Sequence, residues 1–406
     1  MGAGVMRRVL IVGNGIAGLT AADSLRAAGY DGELTIVGAE RHPAYSRPAL
    51  SKALLHDDDL AAHRLPPATH HAAEFLGVAA TALDVDARTV ALDDGSVLPY
   101  DGLVIATGAR ARRLADEGGD DAGELTLRSL DDAITLRARL AGKPSVAVVG
   151  GGALGMEIAS GCLAAGCRVT LVSQGRPLLR QLGPFLAEVF AAAALERGLT
   201  LVETRSARLR RNGTGTRDGT GTRDSTGTRV VLDEGTVLEA DVVVTAVGDV
   251  HNVEWLATSG LLRDGMLEAD SRGRVRPGIV AAGDVAAFPT RPSVPGGPSV
   301  RRVPLWTSAI DQSKVAAVSL LRGDEAPALD FRPYFWTEQF GISLKAAGFL
   351  PLTGPPAFVD GALVAGEGAG GPALMRWAHP AGGGTAVALN YRIGVPRLRR
   401  ISEAAA

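Results

Sequence analysis

Short apolar runs, each closed by glycines and followed by helical spacing, set the rhythm of this chain. Arg8 to Val12 is such a run, and Gly13-Asn14-Gly15-Ile16-Ala17-Gly18 follows at once. Ile16 to Ala28 carries helical spacing, and Leu34 to Val37 is a second apolar run that ends near Glu40. The same order returns with Ser145 to Val149, Gly150-Gly151-Gly152-Ala153-Leu154-Gly155, a helix to Ala165, and Arg168 to Val172. Two strand–turn–helix–strand units in one chain predict two parallel-stranded dinucleotide sites.

Between the units the pattern changes. Val78 to Pro99 is β-rich, with Asp93-Asp94-Gly95-Ser96 as a hairpin turn. It leads into Asp101-Gly102-Leu103-Val104-Ile105-Ala106-Thr107-Gly108, a strand closed by small residues. Ala240-Asp241-Val242-Val243-Val244-Thr245-Ala246-Val247-Gly248 closes the second unit in the same way. Leu201 to Leu209 and Arg229 to Leu232 read as strands flanking a low-complexity, solvated loop, Asn212 to Thr228. Pro289 to Pro304 is a second irregular loop, Trp306 to Leu321 is helical, and a last β-rich module starts near Phe331.

Composition narrows the class. A chain of 406 residues suggests two to three domains, and 46% hydrophobic with 21% charged residues suffices to bury real cores. The 42 basic and 44 acidic residues give a net charge of −2, which offers no reason to expect a nucleic-acid partner. Two cysteines cannot staple a scaffold of this size, so the chain reads as cytoplasmic. Met1 to Arg8 carries no apolar stretch of signal-peptide type, and no apolar run is long enough for a bilayer. Only four of the cations are lysines, Lys52, Lys143, Lys314 and Lys345, which gives weight to any lysine in a chemically suggestive place.

Each glycine of a G-x-G-x-x-G turn removes a side chain that would block something. The first permits the tight turn, the second lets a pyrophosphate approach, and the third lets helix and strand pack closely. The helix N-terminus then meets the phosphate with unpaired N–H groups and its positive dipole end. Glu40 follows Gly18 by 22 residues, at the end of the next strand, to accept from ribose hydroxyls. The second unit lacks that acid: Val172 is followed by Ser173, Gln174, Gly175 and Arg176. Without the carboxylate a 2′-phosphate is not repelled, and Arg176 or Arg168 could attract one. NADPH, NADH or both therefore stay open as partners of this unit. A third block, Ile279-Val280-Ala281-Ala282-Gly283-Asp284-Val285, is an apolar strand that delivers one carboxylate.

Together these blocks resemble the two-dinucleotide-binding flavoprotein disulfide reductase superfamily. More narrowly, Tyr45-Ser46-Arg47-Pro48-Ala49-Leu50-Ser51-Lys52 is similar to the Y-x-R-P-x-L-S-K segment of oxygenase-coupled NAD(P)H–ferredoxin reductases. Leu127-Arg128-Ser129-Leu130-Asp131-Asp132-Ala133 and Tyr334-Phe335-Trp336-Thr337-Glu338-Gln339 resemble two further segments of that group. The resemblance implies an α/β protein with two Rossmann-like domains, glutathione reductase-like, plus a C-terminal α+β domain. Residues 1–112 and 245–325 would form a discontinuous FAD domain, 113–244 the NAD(P)H domain and 326–406 the interface domain. It implies that Gly13, Gly15, Ile16, Ala17, Gly18, Glu40, Arg47, Lys52, Ala82, Arg128, Asp284, Trp306 and Trp336 hold FAD. Gly150, Gly152, Leu154, Gly155, Ser173, Arg176 and Gly248 would hold the nicotinamide dinucleotide. Glu157 matches a glutamate that relatives keep near the flavin and pair with the lysine of R-P-x-L-S-K, here Lys52, and these two are the candidate catalytic residues.

The implied activity is hydride transfer from NAD(P)H to FAD, then single electrons to a small acidic 2Fe–2S ferredoxin that feeds an oxygenase. Arg301, Arg302, Arg397, Arg399 and Arg400 are candidate docking cations. Pro304, His251 and Ser313 depart from the group's pattern, and the last 50 residues are Gly-rich. These departures bear on the electron acceptor, and they keep two alternatives in view. One is an oxidase or reductase acting directly on a quinone, nitro compound or pathway metabolite; the other is an NADH-responsive binding protein resembling apoptosis-inducing factors. Cys162 and Cys167 have the spacing of a redox pair, but both read as lying on the helix after Gly155, five apart and on different faces. Buried structural thiols are the expectation there. No metal cluster is expected, and no membrane or nucleic-acid partner; a monomer or homodimer is.

Overall fold

Strands buried on both faces need apolar residues at consecutive positions, and β1 (Arg8–Val12) has them from Val9 to Val12. The computed structural model of the chain describes residues 6–52, 55, 64–66, 68–115, 123–211, 228–233, 235–290, 299–362, 371–379 and 382–404. Residues 212–227 of the low-complexity stretch and 291–298 of the second irregular loop lie outside the described residues. The chain divides into two compact units, one of 1–46, 61–110 and 250–334, the other of 47–60, 111–249 and 335–406.

In the first unit β1 is followed by α1 (Ile16–Ala27), β2 (Glu33–Gly38), β3 (Ala73–Leu76) and β4 (Gly102–Ile105). β1 pairs in parallel with β2 on one side and β4 on the other. Alternate residues of β1 serve opposite faces. Val9 and Ile11 pack with Ala21, Ala22 and Leu25 of α1, whereas Leu10 and Val12 join Leu103, Ile105 and Trp255.

The second unit repeats the arrangement with β5 (Ser145–Val149), α2 (Ala153–Ala164), β6 (Arg168–Ser173), α3 (Pro184–Glu196), β7 (Thr200–Glu203) and β8 (Val242–Thr245). Its sheet runs β7-β6-β5-β8, every pair parallel. Strands 207–211, 228–232 and 237–240 form a separate antiparallel sheet, whose Val230 and Leu232 cover Ala147 and Val149. The stretch read as one strand, 201–209, is thus two: Thr204 and Arg205 turn between them, held by the Asp233 carboxylate.

Returning to the first unit, β9 (Arg274–Arg276) pairs antiparallel with β10 (Ile279–Ala281), and β10 pairs in parallel with β4. The first sheet therefore runs β9-β10-β4-β1-β2-β3, with α4 (Trp306–Arg322) packed beside α1 over it. The last module begins at Tyr334 with β11 (Tyr334–Gln339), the edge of a five-stranded antiparallel sheet. Among the described residues no helix is long and apolar enough to cross a membrane.

Candidate functional site

The first glycine turn sits at the carboxyl end of β1, and each glycine has a distinct neighbour. Gly13 has φ +122°, a conformation that side chains avoid, and a Cβ there would run into the Ala106 carbonyl. A Cβ at Gly18 would strike the Gly13 carbonyl, so this glycine sets how closely α1 lies on the turn. Gly15 differs: a Cβ there meets no described atom within 4 Å, and Gly15 caps α1 without any side-chain hydrogen bond. The N–H groups of the first turn, Ile16, Ala17 and Gly18, have no intrahelical acceptor. A helix N-terminus of this kind suits an anion. Glu40, half-buried just past β2, accepts from the Tyr45 hydroxyl at 2.5 Å, which fixes the carboxylate.

Asp284 stands past β10, two residues after Ala282, whose N–H donates to Ile105. Gly283 presses on Ala17 of α1, and its N–H donates to the buried Gln312 amide oxygen at 2.8 Å. Asp284 and the α1 N-terminus are therefore neighbours. Trp306 opens α4, half-buried. Ala82 lies in the small antiparallel sheet of 80–84, 89–92 and 97–99, opposite Ala91.

In the second unit the same three roles recur. Gly150 has φ +123° against the Ala246 carbonyl, Gly155 packs on the Gly150 carbonyl, and Gly152 caps α2 with no side-chain bond. Leu154 is 37% exposed beside that cap, and Gly248 is exposed at the closing turn, accepting from the Arg112 N–H at 3.0 Å. Ser173 ends β6 directly beneath Gly151, with its hydroxyl donating to the Gly175 carbonyl at 2.6 Å. Arg168 is corrected by the fold. It opens β6 next to Ser145, at the end of the sheet opposite the glycine turn, and cannot reach a nucleotide there.

Glu157, in the second turn of α2, is 6% exposed and gathers three donors. Lys52 Nζ lies 2.8 Å from Oε2, the Ser51 hydroxyl donates to the same oxygen, and the Thr337 hydroxyl donates to Oε1 at 2.6 Å. Gln339 donates to the Thr337 oxygen at 2.8 Å, so Thr337 passes its own proton toward Glu157. The structure thus brings Lys52 and Glu157 together, and adds Ser51, Thr337 and Gln339, which sequence reasoning missed. The period-two spacing of Thr337 and Gln339 on β11 was the available signal, since it puts both on one strand face. Arg47 donates to the Arg128 carbonyl at 2.7 Å, and the Arg128 and Ser129 N–H groups are held by Asp132. Trp336 is half-buried on β11.

The cysteines are a second correction. Only Cys162 is helical; Cys167 follows Gly166 beyond the end of α2. The Cys167 N–H donates to the Cys162 carbonyl at 3.0 Å, a Schellman ending that folds the two residues back toward one another. Both are buried, and burial pushes the Cys162 thiol up to about 12, with Cys167 adding to it. These are unreactive packing thiols. Among the described residues no group of three or more His, Cys, Asp or Glu could hold a metal ion.

The description "pyridine nucleotide-disulphide oxidoreductase" matches residues 7–313, three quarters of the chain and both glycine turns. The chain belongs to this family. Within the family it is 34% identical over 349 residues to rhodocoxin reductase of Rhodococcus erythropolis, covering 84% of this chain and 78% of that one. It is likewise 34% identical to the biphenyl dioxygenase system ferredoxin–NAD(+) reductase component of Paraburkholderia xenovorans, covering 84% and 80%. Among solved structures, that of the covalent putidaredoxin reductase–putidaredoxin complex superposes with a TM-score of 0.80 at 26% identity, covering 98% of this chain and 93% of that one. A ferredoxin reductase from Rhodopseudomonas palustris gives 0.78 at 30% identity, covering 95% and 91%. The chain is an oxidoreductase of this family, with its fold.

Proposed function

We propose that this protein is an FAD-dependent NAD(P)H:ferredoxin reductase, passing electrons to a small 2Fe–2S ferredoxin that supplies an oxygenase. The observation that carries the reading is the pair of stripped helix N-termini, at α1 and α2, each behind a glycine turn and one joined to a fixed carboxylate, Glu40. The relatives' names support the acceptor, since they include ferredoxin–NAD(+) reductase components of dioxygenase systems. When bound, FAD accepts a hydride from the nicotinamide and gives up electrons singly.

The chain's own task is alignment and charge. Ile16, Ala17 and Gly18 would present N–H groups to the flavin nucleotide's pyrophosphate, Glu40 would accept from its ribose, and Asp284 would face the sugar-like chain beside them. Arg47, Lys52, Ala82, Arg128, Trp306 and Trp336 complete the assigned flavin set. Gly150, Gly152, Leu154, Gly155, Ser173, Arg176 and Gly248 form the nicotinamide nucleotide set. Glu157, with an N–H or O–H donor on each oxygen, is held in one orientation, and Lys52 balances its charge. No side chain needs to move a proton in hydride transfer. We assign 1–112 with 245–325 to flavin binding, 113–244 to nicotinamide binding and 326–406 to the acceptor interface, in a cytoplasmic protein.

Anaerobic titration with NADH and NADPH, followed by cytochrome c reduction with and without a 2Fe–2S ferredoxin, tests this. Bleaching of absorbance near about 450 nm and a rate that rises with ferredoxin are expected. No bleaching with either nucleotide would end the reading. Cytochrome-independent turnover of a quinone or nitro compound that ferredoxin does not raise would replace the acceptor.

A further inference from the structure

The second glycine turn lacks an acid at the end of β6, yet carboxylates stand beside it in space. Glu203 ends β7 directly opposite Ser173 in the parallel register. Glu188, from the second turn of α3, takes Arg176 in a two-pronged grip: Nε to Oε1 at 2.9 Å and Nη2 to Oε2 at 2.6 Å. The remaining nitrogen of Arg176 faces Glu203 at 3.7 Å. All three guanidinium nitrogens are thus turned to carboxylates, and these raise the Arg176 pKa, Glu188 first. Gln174 is also engaged, donating to the Arg205 carbonyl at 2.7 Å, and the Arg205 N–H is held by Asp233.

Beside Ser173 the single guanidinium of Arg176 faces two carboxylates, Glu188 and Glu203, which leaves one negative charge in excess. A ribose diol is neutral and tolerates this; a 2′-phosphate carries up to two negative charges and does not. The cation that the sequence offers to a phosphate is already spent in the fold.

We infer that Glu203, with Arg176 neutralised by Glu188, supplies from the neighbouring strand the discrimination that the missing strand-end acid would supply, so that this site takes NADH and refuses NADPH. The inference rests on the proposed nicotinamide role of the second glycine turn and names the specificity residues of that same site. Glu188 and Glu203 are positioning and repelling groups rather than catalytic ones. Neither needs to touch the nucleotide.

Calorimetric titration of the flavin-loaded protein with NAD+ and with NADP+ reads affinity without turnover. The wild type is expected to hold NAD+ at least about tenfold more tightly than NADP+. Glu203→Gln and Glu188→Gln are each expected to shrink that ratio by at least about threefold, the first by removing repulsion and the second by freeing Arg176. Glu196→Gln removes a like charge from the far end of α3, about 12 Å along the helix from Glu188, and is expected to leave the ratio unchanged. Wild type that binds NADP+ as tightly as NAD+ would overturn the inference. So would glutamine variants that melt like wild type and keep its ratio. Failure of both nucleotides to bind would instead bring down the proposed function itself.

Discussion

At the scale of single residues, two glycines of one turn do different work and separate cleanly by mutation. A methyl group at Gly18 collides with the Gly13 carbonyl, so Gly18→Ala is expected to destabilise the apoprotein by about 1–3 kcal/mol. A methyl at Gly15 meets no described atom, so Gly15→Ala should cost less than about 1 kcal/mol, the loss of a glycine cap, while weakening FAD binding. Denaturant unfolding of the apoproteins and fluorescence titration with FAD check both; equal stability losses would refute the division. Gly15 and Gly18 were legible because the spacing of their motif carries its chemistry, and the pairing of Lys52 with Glu157 because the family resemblance implies it. Thr337, Glu188 and Glu203 were not, because what they do depends on a partner brought close by the fold. Thr337 is 180 residues from Glu157, and nothing local to either announces the other.

At the scale of elements, the two sheets that carry the glycine turns fasten their first strand in the same way. Asp101, just before β4, accepts from the Arg7 and Arg8 N–H groups and from the Arg8 guanidinium. Asp241, just before β8, accepts from the Ser145 N–H and hydroxyl. The Arg8 side chain in one case and the Ser145 hydroxyl in the other hold these carboxyls below the ordinary 3.8. A carboxyl lowered by folding stabilises above its unfolded pKa, and that stability is lost as pH falls through the folded value. The midpoint of denaturant unfolding should therefore drop as pH falls below about 4, and less steeply in Asp101→Asn with Asp241→Asn. An unchanged slope in the double variant would show that other groups govern the acid limb. The strand–turn–helix–strand units were readable because their apolar runs and glycines are local. The break at 204–206 was not, since the residue that holds it, Asp233, lies 29 positions after Thr204.

At the scale of the whole molecule, the two sheets that carry the glycine turns differ in how much chain they span. The pairs β1–β2 and β1–β4 lie within residues 8–105 and β5–β6 and β5–β8 within 145–245, whereas β4 and β10 bring residues 103–105 to 279–281. Long-range pairing is slow because loop closure precedes its reward. Pulse-labelled hydrogen exchange during refolding is expected to protect β5, β6 and β8 before β10; the reverse order would contradict this. The insertion of β10 between β9 and β4 has a consequence for the living cell. A ribosome releases β4 some 170 codons before β10 emerges, and for that interval β4 offers a bare, sticky flank. Nascent chains stalled in that interval should be the ones that chaperones hold, and rare codons placed there would lower yield without altering a single amino acid.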